Sequence, residues 1–180
     1  MKYADSTIKK YIKDLGAKIP APGGGSVAAF SAAFAASLLK MACLFTLGKE
    51  KYKKSGPRIR KIYARLSVLA ERAVFLADED IRAYRSKDMD KAVSVPVEVA
   101  LLSFELVKLA MEVLRIGNKN LSSDALLAGL LADDSFIAAL NYAEINLSTL
   151  EKNKNRFSAA VSRLFMINKQ MRVMRKKLRG

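Results

Sequence analysis

Residues 22–47 constrain the fold more than any other part of the chain. Pro22-Gly23-Gly24-Gly25-Ser26 leads without a break into an apolar, alanine-rich run that ends at Leu47-Gly48. The stretch from Pro20 to Gly25 is poorly suited to regular structure, because proline removes a donor and adjacent glycines cost backbone entropy. Ser26 is then a suitable cap for a helix from Val27 to about Leu47, with Gly48 as its stop. Such a helix is long enough to cross a bilayer. However, Ser31, Ser37 and Lys40 interrupt it and alanine dominates over leucine, so a buried core helix is expected and a membrane span is not. Phe30, Phe34, Leu38, Met41 and Phe45 form a bulky stripe on it, while Ala28, Ala32, Ala35, Ala36 and Ala42 leave much of the rest small. The small surface suits close helix packing, within the chain or across a subunit boundary.

The remaining chain carries helical periodicity throughout. Ile8, Tyr11, Ile12 and Leu15 fall at i, i+3, i+4, i+7, with Asp5 or Ser6 as cap and Gly16 as stop. Lys49 to Gly56 is a basic connector. Pro57 suits the first turn of a helix running to about Tyr84. Its inward stripe reads Ile59, Ile62, Tyr63, Leu66, Leu69, Ala73, Leu76, Ala77, Asp80, Ile81, Tyr84, with Asp78 and Glu79 off it. The polar segment 85–94 reads as a loop, and Pro96 as the opening of a helix from Val97 to about Ile116, closed by Gly117. Ser122 or Ser123 caps a helix to about Glu151, and Arg156 to Leu178 forms the last. No β-rich alternation competes, and glycine and proline are sparse at 9 and 4. The expected fold is all-α: one domain over residues 1–180, an orthogonal or up-down bundle of about six helices.

Composition narrows the chemistry. The chain has no histidine, one cysteine (Cys43) and a formal charge of +15. The usual zinc sites and catalytic triads are therefore disfavoured, and acid–base work falls to Asp, Glu, Lys or Tyr. Cys43, inside the apolar run, reads as a small core residue. The charge favours anionic ligands, or simply gives a solvated basic surface. Among candidates, the Gly23–Ser26 turn precedes a helix start, whose free N–H groups and dipole cradle a carboxylate or a polar ring edge. It lacks the lysine and spacing of a phosphate loop, and a bare turn that lets two helices pack is the first explanation from the residues alone. Asp80, on an apolar stripe, is either a carboxyl of raised pKa, fit for general acid work, or the partner of a basic side chain. Gly117-Asn118 and Ser123-Asp124 read first as a helix stop and a helix cap. The basic C-terminal helix reads as a fraying, solvated end. The N-terminus has no short apolar leader, and a cytoplasmic location is expected.

Taken in order, several motifs resemble the formiminotetrahydrofolate cyclodeaminase family, which includes methenyltetrahydrofolate cyclohydrolases. They are Pro22-Gly23-Gly24-Gly25-Ser26-Val27-Ala28-Ala29; Gly48-Lys49 with Lys51-Tyr52; Asp78-Glu79-Asp80; Val95-Pro96 with Glu98-Val99-Ala100; Gly117-Asn118 with Ser123-Asp124; and Ile145-Asn146-Leu147. The resemblance implies an all-α homodimer or higher homo-oligomer with no metal and no permanently bound cofactor. It implies a tetrahydrofolate derivative as substrate, either 5-formiminotetrahydrofolate cyclised to 5,10-methenyltetrahydrofolate with loss of ammonia, or the methenyl form hydrolysed. On that basis Asp80 is the expected acid–base residue and Asp124 a second carboxylate or pterin anchor. Gly23, Gly24, Gly25 and Ser26 line the pocket, Lys49 and Tyr52 hold the glutamate carboxylates, and Asn118 and Ser123 complete the binding set. Two departures stand out. The stretch between Asp80 and Pro96 is shorter than the family's, and Tyr142-Ala143-Glu144 replaces an N-V-R that places a cation there. A catalytically silent member and a basic helical nucleic-acid binder are the alternatives. The second explains the charge but neither the triple glycine nor the inward aspartate.

Overall fold

The structure, a computed structural model, describes residues 2–179. It contains six α-helices: α1 (Ile8–Leu15), α2 (Gly24–Leu44), α3 (Gly56–Ser86), α4 (Met89–Ile116), α5 (Ser122–Thr149) and α6 (Lys154–Arg179). Short 3-10 turns, Glu50–Ser55 and Lys119–Leu121, precede α3 and α5.

Alanine places α2 at the centre. It packs against α3, α4 and α5, and Ala28, Ala29, Ala32, Ala35, Ala36, Leu39 and Ala42 are all buried. Small side chains allow the close interaxial distances that larger ones prevent. Two hydroxyls that enter this core, Ser103 and Ser135, are hydrogen-bonded there. The Ser135 hydroxyl donates to the Ala28 carbonyl at 2.7 Å and lies 2.8 Å from the Ser103 hydroxyl, tying α5 to α2 and α4. Cys43 is fully buried, and burial pushes its thiol up to about 12, which leaves it inert near neutral pH. The small face is thus used inside the chain. The bulky stripe divides: Phe30, Leu38 and Met41 are half-buried, with Phe30 and Leu38 packed against the core, whereas Phe34 and Phe45 are exposed, as are Ile8 and Ile12 on α1 and Phe75 on α3.

α3 and α4 run antiparallel in a register that the charges mark. Arg58 pairs with Glu112, Arg65 with Glu105 and Arg72 with Glu98, each through two hydrogen bonds. The rungs are one heptad apart, and the next, Glu79–Lys91 at 3.0 Å, reverses polarity. Half-exposed pairs of this kind add little stability, but their spacing fits only one register.

Several expectations need correction. The expected loop at 85–94 is a tight helix–helix junction. α3 continues to Ser86, Lys87 adopts a left-handed conformation (φ 56°), and the Asp88 side chain caps α4 by accepting from the Lys91 amide at 3.0 Å. Pro96 therefore lies inside α4 rather than at its start. Thr7, not Asp5 or Ser6, caps α1. Gly23 is the cap position of α2, and Ser26 sits in its first turn with its hydroxyl donating to the Gly23 carbonyl at 2.8 Å. Asp78 and Glu79 are buried rather than facing out. Asp78 accepts from the Tyr3 amide at 2.7 Å, and Glu79 pairs with Arg82 and Lys91. Tyr84, assigned to the inward stripe, is exposed. The C-terminal end of α6 is docked, not frayed. Leu178 and Met171 are buried, and Arg175 and Arg179 hold the fully buried Asp133 at 2.6 and 3.3 Å. Lys169, Arg172, Lys176 and Lys177 remain exposed.

Candidate functional site

The triple glycine and Asp80 meet. Pro20, Ala21, Gly23, Gly24, Gly25, Asp80, Ala83, Tyr84, Ala92, Tyr142 and Asn146 line one cleft of about 210 Å³. Four segments build it: the start of α2 with the turn before it, the last third of α3, the first turn of α4 and the C-terminal part of α5.

The glycines serve space rather than backbone freedom. Gly23 is extended, Gly24 and Gly25 are helical, and the only glycine of positive φ among the described residues is Gly48. A Cβ on Gly25 would collide with the Asp80 carboxylate, and one on Gly24 with the Tyr142 ring and hydroxyl. At Gly23 a Cβ would meet nothing within 4 Å. Glycine at 24 and 25 thus admits two polar side chains, Asp80 and Tyr142, against the first turn of α2. Ser26 contributes differently. Its side chain is buried and bonds Tyr11 at 3.0 Å, away from the cleft.

Burial pushes the Asp80 carboxyl up to about 6, and the Ser26 backbone amide only partly offsets this. Among the described residues no Lys or Arg pairs with Asp80, so the ion-pair alternative drops away. A carboxyl poised there exchanges a proton near neutral pH in either direction. Among the described residues no group of three His, Cys, Asp or Glu side chains is placed to hold a metal ion.

The other expected site residues form a second cluster. Tyr52 and Asn118 are 3.5 Å apart, and the Lys119 amide donates to the Tyr52 hydroxyl at 3.0 Å. Asn118 also donates twice to the end of α2: its backbone N–H to the Thr46 hydroxyl at 2.9 Å and its side-chain amide to the Phe45 carbonyl at 3.0 Å. Asn118 therefore fastens the end of α2 to the turn before α5. Lys49 and Tyr52 line a separate cleft of about 230 Å³ with Lys53 and Arg60. Ser123 is exposed and Asp124 half-buried in the first turn of α5. Asp124 precedes Tyr142 by eighteen residues on α5, about 27 Å of helix. Within one chain, Asp80 and Asp124 lie at opposite ends of the bundle.

Tyr142 and Asn146 line the Asp80 cleft yet carried no assigned role in the sequence reading. Their i, i+4 spacing on α5, one turn apart on one face, was the available signal.

Comparison with known proteins gives a consistent picture. The family profile described as Formiminotransferase-cyclodeaminase matches residues 7–87 and 85–163. A methenyltetrahydrofolate cyclohydrolase of Methylorubrum extorquens is 27% identical, over 89% of this chain and 86% of its own length. The formimidoyltransferase-cyclodeaminase of Rattus norvegicus is 24% identical over 86% of this chain, which spans 34% of that longer protein. The crystal structure of formiminotetrahydrofolate cyclodeaminase from Thermotoga maritima shares the fold, with a TM-score of 0.90 at 23% identity over 98% of this chain and 96% of that one.

Proposed function

This chain belongs to the formiminotransferase-cyclodeaminase family, and from that membership we propose a folate one-carbon enzyme whose reaction centre is Asp80 in the glycine-walled cleft. Its substrate is 5-formiminotetrahydrofolate, closed to 5,10-methenyltetrahydrofolate with loss of ammonia. The related reaction is reversible hydrolysis of the methenyl form to the 10-formyl form.

The observation that carries this reading is the Asp80 carboxyl set against Gly25, largely buried and raised to about 6. In ring closure, N10 of the folate attacks the amidine carbon and forms a C–N bond. The proton on N10 must leave, and the nitrogen of the tetrahedral centre must be protonated before its C–N bond breaks to release ammonia. Asp80 as carboxylate takes the first proton, and as carboxylic acid supplies the second. It ends unchanged, and one group near its own pKa serves both steps. Hydrolysis uses the same residue to accept a proton from attacking water. The Tyr142 hydroxyl, across the first turn of α2, is the next polar group in reach of the cleft.

A second copy of the chain completes this account. The exposed apolar residues Ile8, Ile12, Phe34 and Phe45 form the surface a homodimer would cover. Lys49, Tyr52, Asn118, Ser123 and Asp124 act on the same substrate as Asp80 only if the partner brings them to it. The Lys49 and Lys53 cleft suits the glutamate carboxylates of the folate tail.

The test is purified protein given 5-formimino- and 5,10-methenyltetrahydrofolate separately, with methenyl absorbance followed in time. Absorbance rises with the first substrate or falls faster than its uncatalysed rate with the second. No change with either overturns the reading.

A further inference from the structure

Pro96 sits in the eighth position of α4, where a proline usually costs stability because it has no N–H to give to the carbonyl four residues back. That carbonyl is Ala92 O. It lies on the wall of the Asp80 cleft, which Ala92 lines, and it does not go unpaired. The side-chain amide of Asn146, one turn past Tyr142 on α5, donates to it from Nδ2 at 2.6 Å. A carbonyl only accepts, so this bond fixes which half of the amide faces it: one N–H of Nδ2 goes to Ala92, and Oδ1, which takes no hydrogen bond from the described residues, is left as an acceptor for a ligand. Asn146 lines the same cleft as Asp80, Gly24, Gly25 and Tyr142.

We propose that Asn146 reads an N–H donor of the substrate through Oδ1, and that Pro96 is its positioning residue, because the carbonyl it leaves free locks the amide in the accepting orientation. The ligand group is a ring N–H or exocyclic amine of a heterocycle. A pterin carries both, so the inference rests on the folate reading above and sharpens it. With an ordinary residue at 96, the Ala92 carbonyl would return to the helix ladder and the Asn146 amide would turn either way. Half of its orientations would then set a donor against the substrate's donor, an unpaired contact in a confined site.

The experiment compares wild type, Asn146→Ala, Asn146→Leu and Pro96→Ala in the folate assay, with KM, kcat and melting temperature measured for each. Asn146→Ala should raise KM about tenfold or more while kcat changes less than about threefold, the signature of lost uniform binding. Should the alanine variant fail to fold, Asn146→Leu carries the same test, since a leucine of similar size neither donates to Ala92 nor accepts from the substrate and should also raise KM. Pro96→Ala should melt no lower than wild type, because alanine suits a helix interior, yet raise KM several-fold. A purely structural proline would leave KM alone. Unchanged KM in both Asn146 variants overturns the assignment of Asn146. Unchanged KM in Pro96→Ala with raised KM in Asn146→Ala overturns the positioning role. Wild type inactive on both folates is a different result, one that removes the folate reading itself.

Discussion

The Asp80 carboxylate occupies the space where a Cβ of Gly25 would be. The two residues are 55 positions apart in sequence and belong to different helices, so each specifies the other: an aspartate can sit here only if position 25 has no side chain.

Gly25→Ala is therefore expected to displace the carboxylate and lower kcat/KM by about a hundredfold, the scale on which small misplacements of a catalytic group act. The better helix propensity of alanine, worth about 1 kcal/mol, would not rescue activity. Gly23→Ala, where nothing lies within 4 Å, should cost far less. Steady-state kinetics on the two variants checks the contrast.

Asp80 also makes a prediction about stability and pH. Its carboxyl is raised in the folded state from 3.8 to about 6, so between those values the folded protein holds the proton more tightly than the unfolded chain. Stability then falls as pH rises through that window, and the charged form penalises the fold above it. The shift corresponds to at most about 3 kcal/mol at pH 7. Asp80→Asn, which removes the charge, should raise the urea midpoint at pH 7.5 and leave it nearly unchanged at pH 4. The kcat/KM of the wild type should decline as pH falls below about 6, as the base form is lost.

The exposed phenylalanines predict an assembly. Phe34 is 53% exposed on the central helix, although its neighbours Ala33 and Ala35 are buried. Light scattering should give a dimer or larger for the wild type. Phe34→Lys should shift it toward the monomer while retaining helical circular dichroism. If the Lys49 cluster of one copy serves the Asp80 cleft of the other, turnover falls with dissociation.

Lys49→Ala tests the tail-binding role. KM should rise with kcat unchanged, more for a polyglutamylated folate than for the monoglutamate. The difference should shrink at high salt, because the lysine is solvent-exposed.

The sequence conveys the helical fold because each long segment keeps one period, and it conveys the Asp80 cleft because the register of α3 turns position 80 inward. Other features depended on partners distant in sequence. Asp78 and Glu79 look solvent-facing on α3, and only the segment around Tyr3 and the start of α4 cover them. Pro96 reads as a helix start under local rules; Asn146, fifty residues later, is what satisfies the carbonyl that its position inside α4 leaves unbonded. The α6 end reads as a solvated basic tail until Asp133 on α5 is seen buried beneath Arg175. The expected site residues came from motif order, which carries no information about distance. The motifs fall at both ends of α2 and α5, so one chain divides them into two clusters.

The most direct test of the central claim is Asp80→Asn, assayed by methenyl absorbance with folate binding measured alongside. The account predicts a properly folded protein that still binds the folate but turns it over at least about a hundredfold more slowly. Turnover at the wild-type rate would contradict it.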